Sequence, residues 1–253
     1  VGRDEHAELA TATLRAEGVD LSHLAFSDKA TALCLVTVAA DGENTVLVAA
    51  GANIQTRVSQ LEAVSFGEGD TLVLQMEVPL ADNFAAVRLG RARGARVILN
   101  VAPAAPVPAE TLRDLDVLVA NEHEITLVAD ALGLAATSPE QAARSVHEAY
   151  GCSTLVTLGA KGVVAYHQGR VYSVAAPKVD VVDTTSAGDS FTGAFAAALD
   201  AGAGFGTALR HGVAAGSIAC SAAGAQPSIP RLDAVAKLAA DLELGEADCP
   251  ARL

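Results

Sequence analysis

"VVDTTSAGDSFTGAFAAAL", residues 181–199, sets two aspartates and a small Ser-Ala-Gly turn between an apolar run and an alanine-rich segment. The apolar run reads as a strand that Asp183 ends, and the alanine-rich segment as a helix over 188–201 with Asp189 in its first turn. Gly188 permits close backbone approach, and a helix start offers N–H groups without intrahelical partners, which suit a phosphoryl oxygen. A carboxylate placed there can orient a hydroxyl and take its proton as a P–O bond forms. The competing reading is a plain capped helix, with Asp183 or Ser186 as cap and Asp189 as a favourable first-turn anion. The small residues around Asp189 tip the balance to a phosphate site.

Working outward, strand-like and helix-like patterns alternate. Strands are expected at 71–76, 95–100, 116–120 and 153–159, and helices at 80–93, from Glu122, and at 138–149. A hairpin turns at Gln168-Gly169, and three helices, near 188–201, 204–223 and 231–241, close the chain. This rhythm predicts an α/β fold with a mainly parallel sheet. Ligands in such sheets bind beyond the C-terminal strand ends, where Gln75, Glu77, Asn100, Asn121, Thr157 and Asp183 are expected. Ahead of this region, residues 5–17 read as a helix with Leu9 and Leu14 on or near its apolar side, stopped by Gly18. Two strand-like runs, 30–39 and 45–49, flank a turn at Asp41-Gly42-Glu43-Asn44 and suggest an exposed flap or lid.

Composition narrows the function classes. The 253 residues are 51% hydrophobic with a formal net charge of −13, enough for one substantial core and unlike a basic nucleic-acid footprint. Acidity does not exclude a phosphorylated ligand, because a cradle of backbone N–H groups overrides the global field locally. Cys34, Cys152 and Cys220 sit in apolar runs and read as small core residues, Cys249 lies near the tail, and no zinc spacing occurs. A reducing compartment and no membrane partner follow, since no apolar run reaches the ~18 residues of a span.

Other strand ends carry further candidates. In "VANEHE", Asn121 and Glu124 could hold water on Mg²⁺ or meet a phosphate, or form a capping box that needs no ligand. "VTLGAKG" sets Thr157, Gly159 and Gly162 beside a possible nucleotide, although the glycines equally suit a hairpin turn. Glu77 could accept hydrogen bonds from sugar hydroxyls or be a solvated strand end. "ACSAAGAQPS" ends a long helix whose last carbonyls could take a monovalent cation, or Gly224 could be an ordinary C-cap. Neither a GxxxxGK[ST] loop nor a GxGxxG fingerprint is present.

Taken together, "VDTTSAGDSFTGAF", "NEHE", "GENTVLVAAGAN", "LQMEVPL", "ILNVAPA" and "GAQPSIP" resemble, in this order, the ribokinase-like (PfkB-type) carbohydrate kinases. The resemblance implies a three-layer α/β/α core over 1–28 and 50–253 and a β lid at 29–49 that covers sugar and often builds a dimer. It implies a cytoplasmic enzyme moving the γ-phosphoryl group of ATP to a primary sugar hydroxyl. D-ribose is the leading substrate; fructose, nucleosides, ketodeoxygluconate and a non-catalytic binding role are the alternatives. By resemblance, Asp189 is the catalytic base, which also meets the sugar, and Ala187 and Gly188 form an anion hole. Asn121 and Glu124 serve Mg²⁺ and phosphate. Thr157, Gly159 and Gly162 contact nucleotide, with His211 and Gly212 beside adenine. Glu77 binds sugar. Asp183, Thr185, Ala219, Ala222, Gly224 and Ser228 surround K⁺. Ser186 and Thr192 depart from the family, which often has Gly or Ala, and Asn, there. The family's first core strand, its sugar-binding aspartate and its "GGKGAN" segment do not precede Val1, so an N-terminal segment is expected to be missing.

Overall fold

The computed structural model describes residues 1–38 and 44–249. The expected turn at Asp41-Gly42-Glu43 lies outside the described residues. The chain divides into two compact units, Val1–Ser65 with Met76–Ala86, and Phe66–Gln75 with Val87–Leu253.

The first unit opens with α1 (Glu5–Ala16), whose N-cap Asp4 accepts the Ala7 N–H at 2.9 Å. The same carboxylate accepts the Thr31 N–H and hydroxyl, each at 2.7 Å, fastening the helix start to a distant segment. These bonds from Thr31 hold the Asp4 pKa down to about 2. Contrary to the sequence reading, α1 buries Ala7 and Thr11, whereas Leu9 is 71% exposed. Antiparallel β1 (Leu33–Val38) and β2 (Asn44–Ala49) follow as a separate two-stranded sheet. Cys34 on β1 is exposed and so is not the core residue its apolar run suggested.

The second unit is built on a seven-stranded sheet. Its strands, in spatial and chain order, are β3 (Thr71–Leu74), β4 (Arg96–Asn100), β5 (Val117–Asn121), β6 (Ser153–Thr157), β7 (Val163–His167), β8 (Arg170–Val174) and β9 (Gly245–Asp248). β3 to β6 are parallel, and β7, β8 and β9 continue antiparallel, so the sheet is mixed. The strands of the parallel half are near-continuous apolar runs because both faces are covered. One face meets α6 (Ala187–Asp200) and α7 (Phe205–Ala219): Phe191, Phe195, Leu209 and Val213 pack on Ile98, Val119, Leu155 and Val174. The other carries α4 (Glu122–Ala131) and α5 (Pro139–Tyr150), with α3 (Ala109–Asp114) beside α5. α8 (Leu232–Asp241) packs outside α7. Helix α2 (Leu80–Ala92) runs from one unit into the other. The result is a three-layer α/β/α fold with a small antiparallel hairpin, as the sequence predicts.

Two local expectations fail. Residues 181–183 are not a strand: the Val182 and Asp183 N–H groups both turn to the Cys220 carbonyl (2.8 and 3.3 Å), away from any ladder, and Val181 and Val182 are over 60% exposed. The tail adds β9, where three helices alone were expected; "GEAD" pairs with β8 and is supported by the Arg170–Glu246 ion pair at 2.7 Å. Among the described residues no helix is long and apolar enough to cross a membrane.

Candidate active site

β5 ends at Asn121, which is also the N-cap of α4. The Asn121 Oδ1 accepts the N–H groups of His123 (3.0 Å) and Glu124 (2.9 Å), while Glu124 Oε2 accepts the Asn121 N–H at 2.7 Å. The capping box is therefore complete within the protein. Glu124 is only 8% exposed and no Lys or Arg pairs with it among the described residues, so burial pushes its carboxyl pKa up. An ionised, half-satisfied carboxylate in this setting fits a cation, which would relieve it. Sheet register places Thr157, at the end of β6, directly beside Asn121. These residues share one end of the sheet, and Lys161 just beyond them reaches Glu122 at 3.9 Å.

The two glycines after Thr157 differ. A Cβ on Gly159 would meet open space, whereas one on Gly162 would lie 2.0 Å from the Val174 carbonyl oxygen, at φ +97°. Gly162 thus has a backbone-packing reason of its own. Gly212 likewise lets α7 approach α6, because a Cβ there would strike the Phe191 ring at 2.8 Å. Gly216, one turn on, does the same against the Ala187 carbonyl oxygen at 3.0 Å. Sequence reasoning passed over Gly216, although its spacing of four from Gly212 marks one helix face. His211 is half-buried on the same helix.

The segment before α6 is tied to the loop after α7. Asp183 Oδ1 accepts the Thr185 N–H (2.9 Å) and hydroxyl (2.6 Å), and Oδ2 accepts the Gly224 N–H (2.9 Å). These three donors hold the Asp183 carboxyl below its usual range. Gly224 is therefore not a simple helix stop; its N–H reaches across to Asp183. Ser186 follows, with its hydroxyl on the Ala225 carbonyl and the Ser228 hydroxyl, each at 3.1 Å. Ala222 and Ala219 join the same turn through a 3.3 Å backbone bond. The atoms of this cluster able to ligate a cation are oxygens, of the Asp183 carboxylate, of the Thr185 and Ser228 hydroxyls and of backbone carbonyls, a hard-oxygen set that suits a large monovalent ion. No group of three or more His, Cys, Asp or Glu side chains is poised for a metal among the described residues.

At the mouth of α6, Ser186 gives no side-chain cap. The Ala187 N–H makes a long 3.3 Å bond to the Thr184 carbonyl, and the Gly188 and Asp189 N–H groups have no protein acceptor among the described residues. Asp189 is exposed at this open helix start. Of the two residues expected at an anion hole, Ala187 has its N–H partly engaged and Gly188 does not. Glu77 belongs to the first unit and is exposed. No hydrogen bond or ion pair joins the Asn121–Glu124 cluster to the Asp183–Ser228 cluster among the described residues.

This arrangement, two internally bonded loop clusters and one uncapped helix start carrying a carboxylate, can be set beside known proteins. The pfkB family carbohydrate kinase model matches residues 1–232. The chain belongs to that family. As a pfkB-family carbohydrate kinase, it is 32% identical over 233 residues to the ribokinase of Haemophilus influenzae, covering 91% of this chain and 76% of the relative. The crystal structure of Thermotoga maritima ribokinase superposes with a TM-score of 0.84 at 31% identity, covering 94% of this chain and 78% of that one. The structure of Arabidopsis thaliana ribokinase complexed with ribose and ATP gives 0.81 at 30% identity, covering 94% and 80%.

Proposed function

We propose that the chain transfers the γ-phosphoryl group of ATP to a primary sugar hydroxyl, converting D-ribose to D-ribose 5-phosphate. One observation carries the reading: α6 begins with unpartnered N–H groups and an exposed carboxylate side by side. In the proposed reaction Asp189 orients the hydroxyl and accepts its proton, while the Gly188 and Ala187 amides face the transferred group. Asn121 and Glu124 would hold Mg²⁺, in part through water, and Thr157, Gly159, Gly162, His211 and Gly212 would flank the nucleotide. Asp183, Thr185, Ala219, Ala222, Gly224 and Ser228 would hold K⁺. These cations supply charge neutralisation and a fixed loop geometry when bound. Glu77 would accept hydrogen bonds from the sugar.

Ribose is favoured because the relatives named above, at 30% identity or more, are ribokinases. Residues 29–49 are proposed as the lid. Leu33, Leu35 and Leu47 on its hairpin are exposed, and an isolated two-stranded sheet is marginal in water, which supports a covering sugar-bound state or a second copy. A cytoplasmic setting is proposed with this activity.

The test is conversion of ATP to ADP by the protein in the presence of ribose, fructose, nucleosides and ketodeoxygluconate. Ribose should give the highest kcat/KM, and replacing K⁺ by Na⁺ should lower it. Turnover highest with another sugar moves the substrate assignment. No sugar-dependent turnover leaves a non-catalytic binding role.

A further inference from the structure

We propose that Ser186 is a positioning residue: its hydroxyl latches the mouth of α6 to the 224–228 loop and so sets the direction in which the Gly188 and Asp189 groups point. The functional half of this inference rests on the phosphoryl-transfer reading; the latch itself does not.

Ser186 is one of two non-glycine residues with positive φ among the described residues, at φ 59°. The other, Gln168, occupies a hairpin turn, where such a conformation is common. At a helix N-cap the backbone is ordinarily extended, and a serine hydroxyl there folds over the first turn to accept an N–H. In Ser186 the left-handed backbone turns the side chain the other way, and no such cap forms. Two consequences follow from one conformation. The first-turn amides stay open, and the hydroxyl becomes available to a loop about 40 residues further along the chain.

The hydrogen count in that loop is specific. Three oxygens, Ser186 Oγ, Ser228 Oγ and the Ala225 carbonyl, lie mutually within 2.7 to 3.1 Å. The Ser228 hydroxyl donates to Ala225 at 2.7 Å, so the Ser186 proton goes either to Ala225 or to Ser228, and the triangle is satisfied in both cases. Ser228 is buried, at 4% exposure, and its bond with Ser186 is part-buried, whereas the Ser186–Ala225 contact lies at the surface. With Asp183 on the Gly224 N–H, the 224–228 loop is pinned to the 183–186 segment at both ends. Glycine or alanine at 186 would lack the second pin. Motion of the loop would then pass less directly to the helix mouth, and the converse.

Two substitutions separate positioning from mere stability. Ser186→Gly removes the hydroxyl and relieves the left-handed strain, whereas Ser186→Ala removes the hydroxyl and keeps the strain. The glycine variant should melt above the alanine variant. Both should nonetheless lower kcat by about five- to tenfold, the value of roughly one hydrogen bond, with KM for ATP unchanged. Hydrogen–deuterium exchange without nucleotide should quicken by about the same factor in both variants, at 184–190 and at 222–229 together. Wild-type kcat in Ser186→Gly, or faster exchange confined to 184–190, or no change in exchange, overturns the proposal. A wild-type chain without sugar turnover sinks the functional reading, while the exchange data still decide the latch.

Discussion

Two helices in the second unit start with a polar residue as N-cap and a carboxylate at the third helical position, and they treat their first turns in opposite ways. At α4, Asn121 and Glu124 satisfy each other's backbone N–H groups, and Asn121 takes that of His123 as well. At α6, Ser186 turns its hydroxyl to another loop and Asp189 stands beside unpartnered N–H groups. Unmet helix-start donors are costly when shielded and useful when a ligand is to arrive. The lesson is that the same sequence grammar, a short polar cap followed by an acid, closes the first turn in one place and leaves it open in the other. The backbone conformation of the cap residue decides which: φ −85° at Asn121 and +59° at Ser186.

The largest expected effect tests reception at α6. Asp189→Asn keeps the size of the side chain and removes its capacity to accept a proton. It should lower kcat by about 10²- to 10⁴-fold, with nucleotide affinity, read by calorimetry, nearly unchanged. If kcat holds, Asp189 is only a first-turn anion and the two helix starts differ in geometry without differing in role.

Closure at α4 is tested by Asn121→Ala. Two accepted N–H bonds are lost, so folding stability should fall by about 1–2 kcal/mol in urea unfolding, the usual worth of a good cap. Ser186→Ala forfeits no cap and should cost less. Equal losses at the two positions would mean that the Ser186 bonds stabilise the helix start as a cap does, and the contrast would collapse.

How far each region was legible in the sequence follows the same division. The parallel strands carry short continuous apolar runs and the helices period-3.6 patterns, and both form close to the expected bounds, because those patterns report burial on both faces of the sheet and on one face of each helix. "GEAD" has no such pattern; β9 forms because β8 offers an edge and Arg170 a counter-charge, which only the fold brings near. The opposite error, a strand ending at Asp183, arises from the apolar content of Val181 and Val182, whereas the Val182 and Asp183 N–H groups bond to the Cys220 carbonyl at the end of α7. The α4 box was readable since its bonds span three residues. The Ser186 latch spans 39 and 42, and a positive φ at a serine has no local signature. Thr192 remains a departure from the family that nothing in the structure explains; its hydroxyl is buried without a hydrogen-bond partner.

The smallest effect concerns the acid that closes α4, and it asks whether closure and cation binding coexist there. Burial raises the Glu124 pKa, so the ionised form is the strained one: the contribution of the protonated carboxyl to stability is fully present below the unfolded pKa and is lost as pH rises through the raised folded value. Glu124→Gln keeps an acceptor for the Asn121 N–H and removes the buried charge, so at neutral pH the melting temperature should hold or rise slightly. Mg²⁺ favours the ionised carboxylate. Wild-type affinity for Mg²⁺ in the presence of a non-hydrolysable ATP analogue should therefore fall as pH drops through the raised pKa, and cation binding in mildly acidic buffer should release protons to the solvent. The glutamine variant should bind more weakly at neutral pH and show a flatter profile. Calorimetry in buffers of different ionisation enthalpy measures both. A wild-type profile as flat as that of Glu124→Gln would leave Glu124 as the third residue of a capping box and nothing more, and any Mg²⁺ would have to be held elsewhere.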